Sequence, residues 1–330
     1  MSVAETYAEM KAKLRDIVPD FELRIKAELA YEIMRLKEER NAVVLGHNYM
    51  EPALFHSIPD YTGDSLALSR KAAQTDKDII VFCGVRFMAE TAAILSPEKT
   101  VLLPDKSAGC PMADMITAEQ LRRLRQEHPN ALVVCYVNSS AEVKAQSDYC
   151  CTSANAVEIV NSLPQDGRII FVPDQHLGRF VAERTGRDLV LWPGYCTTHV
   201  LITEDDIRMA RAKYPDAIVM AHPECTEPVK ELADELLSTG QMLKFAAKST
   251  VQQFIVATEI GIIHALKKQN PEAEFYPAST RAVCPNMKKI TVDKVIASLE
   301  DKRYEITVPE HIRTRAKKSL DRMVEILPMR

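Results

Sequence analysis

Three cysteines, Cys110, Cys196 and Cys284, follow one another 86 and 88 residues apart, and each comes shortly after a proline that closes an apolar run. The last stands in "TRAVCPNM" (280–287), and no cysteine lies between it and Cys225 or anywhere after it. A solitary thiol usually packs as a small hydrophobe. Three at a constant interval can instead meet at one centre, where thiolates would select zinc or an iron–sulfur cluster. Zinc sites draw their ligands from closely spaced pairs, and "CTTH", Cys196 with His199, is the one stretch of that kind. A 4Fe–4S cluster held by three thiolates keeps one iron without a protein ligand, free to act as a Lewis acid on substrate oxygen. The spacing favours the cluster, with zinc as the alternative.

Groups able to move protons recur at matching places: His47 and Tyr49 in "GHNY", Tyr136 and Asn138 in "YVNSS", His222 and Glu224 in "AHPE". They can protonate, deprotonate and orient carbonyl compounds, as dehydration and imine chemistry require. Both histidines would titrate near neutrality, and Glu224 in a partly dry anionic pocket is the expected base. Ser65, Ser153 and Thr239 each stand directly before a helical stretch. Such residues cap helix N-termini, and the free N–H groups there bind phosphate or carboxylate. The expected ligand is therefore small and polyanionic.

Positioning these groups requires a repeated scaffold. Apolar runs "AVVLG", "IIVFC" and "VLLP" are followed by "LVVCYV", "IIFVP" and "LVLWP", then by "IVMA", "FIVAT" and "EFYP". Amphipathic stretches separate them, so each set reads β-α-β-α-β, the pattern of a parallel sheet covered by helices. The fold class expected is α/β, three similar repeats with pseudo-threefold symmetry around a central cluster. Ligands bind beyond the carboxyl ends of strands in such sheets, where all three cysteines and polar clusters fall. The boundaries expected are an N-terminal helical segment at 1–40, broken near Pro19, then repeats at 41–128, 129–214 and 215–330, the last with a C-terminal helix. Cys83 and Cys135 lie inside apolar strands and read as core; Cys150, Cys151 and Cys225 read as packed or buried.

Composition narrows the partners. The 330 residues are 46% hydrophobic, enough for a large core, and the net charge of −4 gives no basic surface for nucleic acid. The charged start "MSVAETYAEMKAKLRD" is no signal peptide, and no apolar run reaches membrane length. A cytoplasmic protein with reduced cysteines is expected.

The stretches "GHNYMEPALFHSIPDYTGDSLALSRKA", "FCGVRFMAETAAIL", "YVNSSAEVKAQSDYCCTSANA", "MAHPECTEPV", "STGQM" and "CPNMK" together resemble the A-type quinolinate synthase family of de novo NAD biosynthesis. The likeness runs in order from about residue 40 to the C-terminal helix. It implies a 4Fe–4S enzyme with cluster ligands at Cys110, Cys196 and Cys284. It further implies condensation of iminoaspartate, supplied by an aspartate oxidase or dehydrogenase partner, with dihydroxyacetone phosphate to give quinolinate, phosphate and water. His47, Ser65, Asn138, Ser153 and Thr239 would then bind substrate, and Glu224, His222, Tyr49 and Tyr136 would handle protons. Family members with extra cysteines before the third ligand suggest a thiol switch; "ASTRAVCPNM" has none. The reading in another class is a non-catalytic iron–sulfur sensor on this scaffold, for which no DNA-binding pattern is present.

Overall fold

A computed structural model describes residues 2–326. It contains three four-stranded sheets. The first is built from β1 (Ala42–His47), β2 (Tyr61–Gly63), β3 (Ile79–Cys83) and β4 (Thr100–Leu102). The second comprises β5 (Leu132–Tyr136), β6 (Tyr149–Cys151), β7 (Ile169–Val172) and β8 (Leu189–Leu191). The third comprises β9 (Ile218–Ala221), β10 (Glu235–Leu236), β11 (Gln253–Ala257) and β12 (Glu274–Pro277). Every pairing is parallel and every sheet has the order second–first–third–fourth. The central strands are buried throughout or nearly so. That is why they read as unbroken apolar runs rather than as alternating ones.

The expected three strands per repeat thus become four. The additional strands, β2, β6 and β10, are edge segments of three, three and two residues with the sequences "YTG", "YCC" and "EL". Segments so short cannot show a periodicity, and pairing to the neighbouring strand alone defines them.

One anchoring device occurs three times. Asp60, Asp148 and Asp234 each stand just before the edge strand and accept, through Oδ2, the backbone N–H of Val44, Val133 or Val219 at 2.8 Å. Their own N–H groups donate back to the same three residues' carbonyls at 2.9–3.0 Å. Lys37, Arg125 and Arg211, from the helix preceding each first strand, pair with these carboxylates at 2.7, 2.9 and 2.8 Å. Each cation also donates to the carbonyl two residues before its aspartate. The repeat therefore begins with a helix, and Asp20–Glu39 is the first repeat's counterpart of Ala118–Glu127 and Glu204–Lys213.

The chain divides into two compact units. One contains the residues up to Gly109 and Pro285–Thr307. Within it, helix Asp20–Glu39 follows Pro19 and packs on β1 and on helix Val292–Asp301, with Leu23, Ala27, Ala30, Ile33 and Leu36 buried. The other contains Cys110–Cys284 and the chain from Val308 onward. There helix Glu310–Glu325 lies along β6, burying Ala316, Leu320 and Met323. Asn155 ties that helix down by donating to the Met323 carbonyl at 2.9 Å. The compact units group the second sheet with the third. No described helix is long and apolar enough to cross a membrane.

Candidate functional site

The sheet order reverses between the two central strands, so each sheet has a switch point at their carboxyl ends, where ligands bind in folds of this kind. Residues just beyond β3, β7 and β11 hold the cysteine loops in one way. The N–H groups of Arg86, Gln175 and Ile260 donate to the carbonyls of Ala108, Gly194 and Ala282 at 2.8, 2.9 and 2.9 Å. Each carbonyl lies two residues before a cysteine, and each cysteine leads into a 3-10 turn, Pro111–Asp114, His199–Leu201 or Met287–Lys289. Gly194 is needed for close approach, because a Cβ there would come within 2.4 Å of the Pro173 carbonyl oxygen.

Cys110, Cys196 and Cys284 all belong to the second compact unit, and all are half-buried. Burial, with the added fields of Glu224 and Cys284, pushes the Cys110 thiol up to about 12. Burial, with Glu224 and Cys110, likewise drives Cys196 far up. Backbone N–H groups of Ala113 and Met112 point at the Cys110 sulfur, and those of His199 and Thr198 at Cys196. Cys110 thus lies within electrostatic reach of both Cys196 and Cys284, and N–H groups are directed at two of the three sulfurs.

Glu224 organises the acid–base groups beside them. Its Oε1 accepts the Tyr136 hydroxyl, and Asn138 Nδ2 lies 3.5 Å from the same oxygen. Its Oε2 is 2.7 Å from His199 Nδ1. That ring nitrogen is also 3.0 Å from Cys196 Sγ, and His199 Nε2 is 2.8 Å from Thr258 Oγ1. Burial opposes ionisation of Glu224, but the two histidines and these hydrogen bonds hold its carboxyl well below the usual range. His222 stacks on His199 with ring centroids 4.7 Å apart. Its Nδ1 accepts the Glu224 N–H at 3.2 Å, so the proton resides on Nε2, which faces Ser153 Oγ at 3.1 Å. Burial depresses His222 to about 3, so its imidazole is neutral, unlike the near-neutral titration expected from sequence. Asn138 Oδ1 is buried without a partner among the described residues, an acceptor for an occupant of the site.

His47, Tyr49 and Ser65 belong to the first compact unit. His47, at the tip of β1, repeats the His222 geometry: its Nδ1 accepts the Tyr49 N–H at 3.2 Å, and the two rings meet edge-on at 4.8 Å. Lys288 donates to the Tyr49 carbonyl at 2.6 Å.

The capping roles shift by one or two residues. Asp64 caps helix Ser65–Gln74 through Ala67 N–H, and Ser65 is its first helical residue. Ser238 caps Thr239–Lys248 in a capping box with Gln241, and Thr239 is likewise inside. Helix Ala156–Asn161 begins after Asn155 without a side-chain cap, and Ser153 serves His222 instead. A local Asp or Ser one position earlier wins because its side chain reaches the N–H three residues on.

Three further residues lie close to Glu224 or to a candidate cysteine. The sequence places His199 only in the zinc alternative, because its contacts with Glu224 and Thr258 come from strand tips distant in sequence. Asp174 and Glu259 follow β7 and β11, both fully buried. Comparing the third-strand tips of the repeats, "PDQ" and "TEI", would have exposed them.

The triplicated parallel α/β scaffold thus sets a buried carboxylate, imidazole and phenol, Glu224, His199 and Tyr136, beside Cys196. A profile of the family described as quinolinate synthetase A protein matches residues 31–325, and the chain belongs to that family. It is 53% identical over 299 residues to a quinolinate synthase of Dehalococcoides mccartyi strain CBDB1, covering 91% of this chain and 98% of that one. Identity is 52% over 295 residues with a quinolinate synthase of Geobacter metallireducens, covering 89% and 96%. With that of Methanosarcina barkeri it is 50% over 301 residues, covering 91% and 98%.

Proposed function

We propose that this chain is a quinolinate synthase, condensing iminoaspartate with dihydroxyacetone phosphate to give quinolinate, phosphate and two waters, in the cytoplasm. The observation that carries this reading is that Cys110 lies within electrostatic reach of Cys196, Cys284 and Glu224. The donor set suits a 4Fe–4S cluster: three thiols, one per repeat, with N–H groups directed at two of them. When bound, the cluster would supply Lewis acidity toward a departing hydroxyl.

The chain's own residues would do the rest. A carboxylate as weakly basic as Glu224 removes protons poorly by itself. Set against His199 at 2.7 Å, it would instead stabilise the imidazolium formed when His199 accepts a proton. Tyr136, bonded to the other Glu224 oxygen, would return protons to intermediates. Neutral His222 would donate its Nε2–H to Ser153 Oγ, leaving the Ser153 hydroxyl to donate to a substrate oxygen. Asn138, with its unpartnered Oδ1, would accept from an imine or enamine N–H. His47, Tyr49, Ser65 and Thr239 would engage carboxylate or phosphate. Iminoaspartate hydrolyses in water, so an aspartate oxidase or dehydrogenase must supply it close by.

Anaerobic purification followed by metal analysis tests the reading: about four irons and absorption near roughly 400 nm are expected for such a cluster. Incubation with an iminoaspartate source and dihydroxyacetone phosphate should yield quinolinate. A loaded protein that forms none would be a sensor. One geometric fact favours a second reading, since ligand atoms of Cys196, His199 and Glu224 lie within 4.8 Å of one another. That S, N, O set suits zinc, and stoichiometric zinc without iron would select it.

A further inference from the structure

We infer that Glu259 is the positioning residue of the Cys284 thiol. Its side chain is fully buried just beyond β11. Oε1 accepts the backbone N–H of Cys284 at 3.1 Å and Oε2 that of Gly261 at 2.8 Å. The adjacent Ile260 N–H holds the Ala282 carbonyl at 2.9 Å, so the loop is gripped at the cysteine and two residues before it. Carboxylate acceptors make stronger hydrogen bonds than neutral ones; the bond from Gly261 anchors the carboxylate, and the bond from the Cys284 N–H orients the Cα–Cβ vector of that cysteine. Thr258, the preceding residue, meets His199, so one strand tip serves both the thiol centre and the imidazole beside Glu224.

The second repeat provides the comparison. Asp174 occupies the equivalent place beyond β7 and is one methylene shorter. It accepts Leu177 N–H at 2.8 Å through Oδ1, and its Oδ2 is buried with no partner among the described residues. The shorter side chain caps its helix and goes no further; the longer one caps the turn at Gly261 and reaches the cysteine. Glu259→Asp therefore separates the two functions, because aspartate can still accept from the N–H two residues on.

The test is alkylation of the full-length, metal-free chain under anaerobic reducing conditions with iodoacetamide, read cysteine by cysteine by mass spectrometry. In Glu259→Asp, Cys284 should react about tenfold faster, with Cys110 and Cys196 changed by less than about twofold, as loss of one charge-assisted bond implies. An unchanged Cys284, or equal acceleration of all three, overturns the inference, because a capping role alone moves them together or not at all. If the variant does not fold, amide exchange of the wild type decides: Cys284 N–H should be strongly protected, and free-chain exchange overturns the inference. A second arm rests on the cluster reading: after iron–sulfur reconstitution, a chelator should strip iron from Glu259→Asp several-fold faster than from wild type. Wild type that takes up no iron defeats the cluster reading, while alkylation still decides Glu259. Reconstituted wild type and variant losing iron at one rate defeats the inference alone.

Discussion

Glu224 and His199 form a buried carboxylate–imidazole pair, Oε2 to Nδ1 at 2.7 Å, assembled from the tip of β9 and the turn after Cys196. The second carboxylate oxygen accepts the Tyr136 hydroxyl, so each oxygen has its own buried partner.

Glu224→Gln keeps the shape and removes the charge that would stabilise a protonated His199. Turnover should fall about 10²- to 10⁴-fold, the usual contribution of positioned acid–base groups. Iron content should equal that of wild type. Unchanged kcat would remove the pair from proton transfer.

Cys284→Ala separates the two metal readings. The thiol-trio centre predicts loss of bound iron, with far-UV circular dichroism unchanged. The Cys196, His199, Glu224 set excludes residue 284, so metal retained at full stoichiometry in this variant would favour zinc and defeat the cluster assignment.

His222 should stay neutral throughout the physiological range. Burial lowers its pKa to about 3, against about 6.5 in an unfolded chain. Between those values the unfolded state binds a proton that the folded state refuses, so stability declines as pH falls from about 6.5 toward 3. Its ring resonances should not titrate between about pH 5 and 8. A midpoint above about 5 would contradict the hydrogen-bonded tautomer assigned from the Glu224 N–H.

Asp148→Ala removes the acceptor of the Val133 N–H and the partner of Arg125. Leaving a part-buried backbone donor unpaired costs about 1–3 kcal/mol, measurable by urea unfolding. Asp148→Asn retains an acceptor oxygen and should lose clearly less. Equal losses would mean that the ion pair, not the backbone contact, is what matters there.

The triplication was legible because three features repeat at one interval: apolar runs, closing prolines and cysteines. Burial of the central strands on both faces forces the first of these, and the need for one thiol per repeat sets the last. The edge strands β2, β6 and β10 were not legible, since two or three half-polar residues carry no pattern. Nor was the role of helix Asp20–Glu39, because the Lys37–Asp60 pair spans 23 residues and resembles its counterparts only once Arg125–Asp148 and Arg211–Asp234 are seen beside it. Capping falls one residue earlier than expected at Ser65 and Thr239, where Asp64 and Ser238 take the role, and the helix after Ser153 has no side-chain cap. The three cysteines, Tyr136, Asn138, Ser153, His222 and Glu224 fall in one compact unit, while His47, Tyr49 and Ser65 fall in the other. His199 was hidden because its partners, Glu224 and Thr258, lie on strands far along the chain.

The aspartate clasp at Val44, Val133 and Val219 has the same form in all three repeats, although the residues three and five positions further on are His47 and Tyr49 in the first, Tyr136 and Asn138 in the second, and His222 and Glu224 in the third. Foundation and working surface are thus mechanically separate. A designer could exchange the tip of one repeat for that of another, or for an unrelated sequence, and expect the sheet beneath to hold its shape, which makes the scaffold a three-socket mount for building new reactive centres.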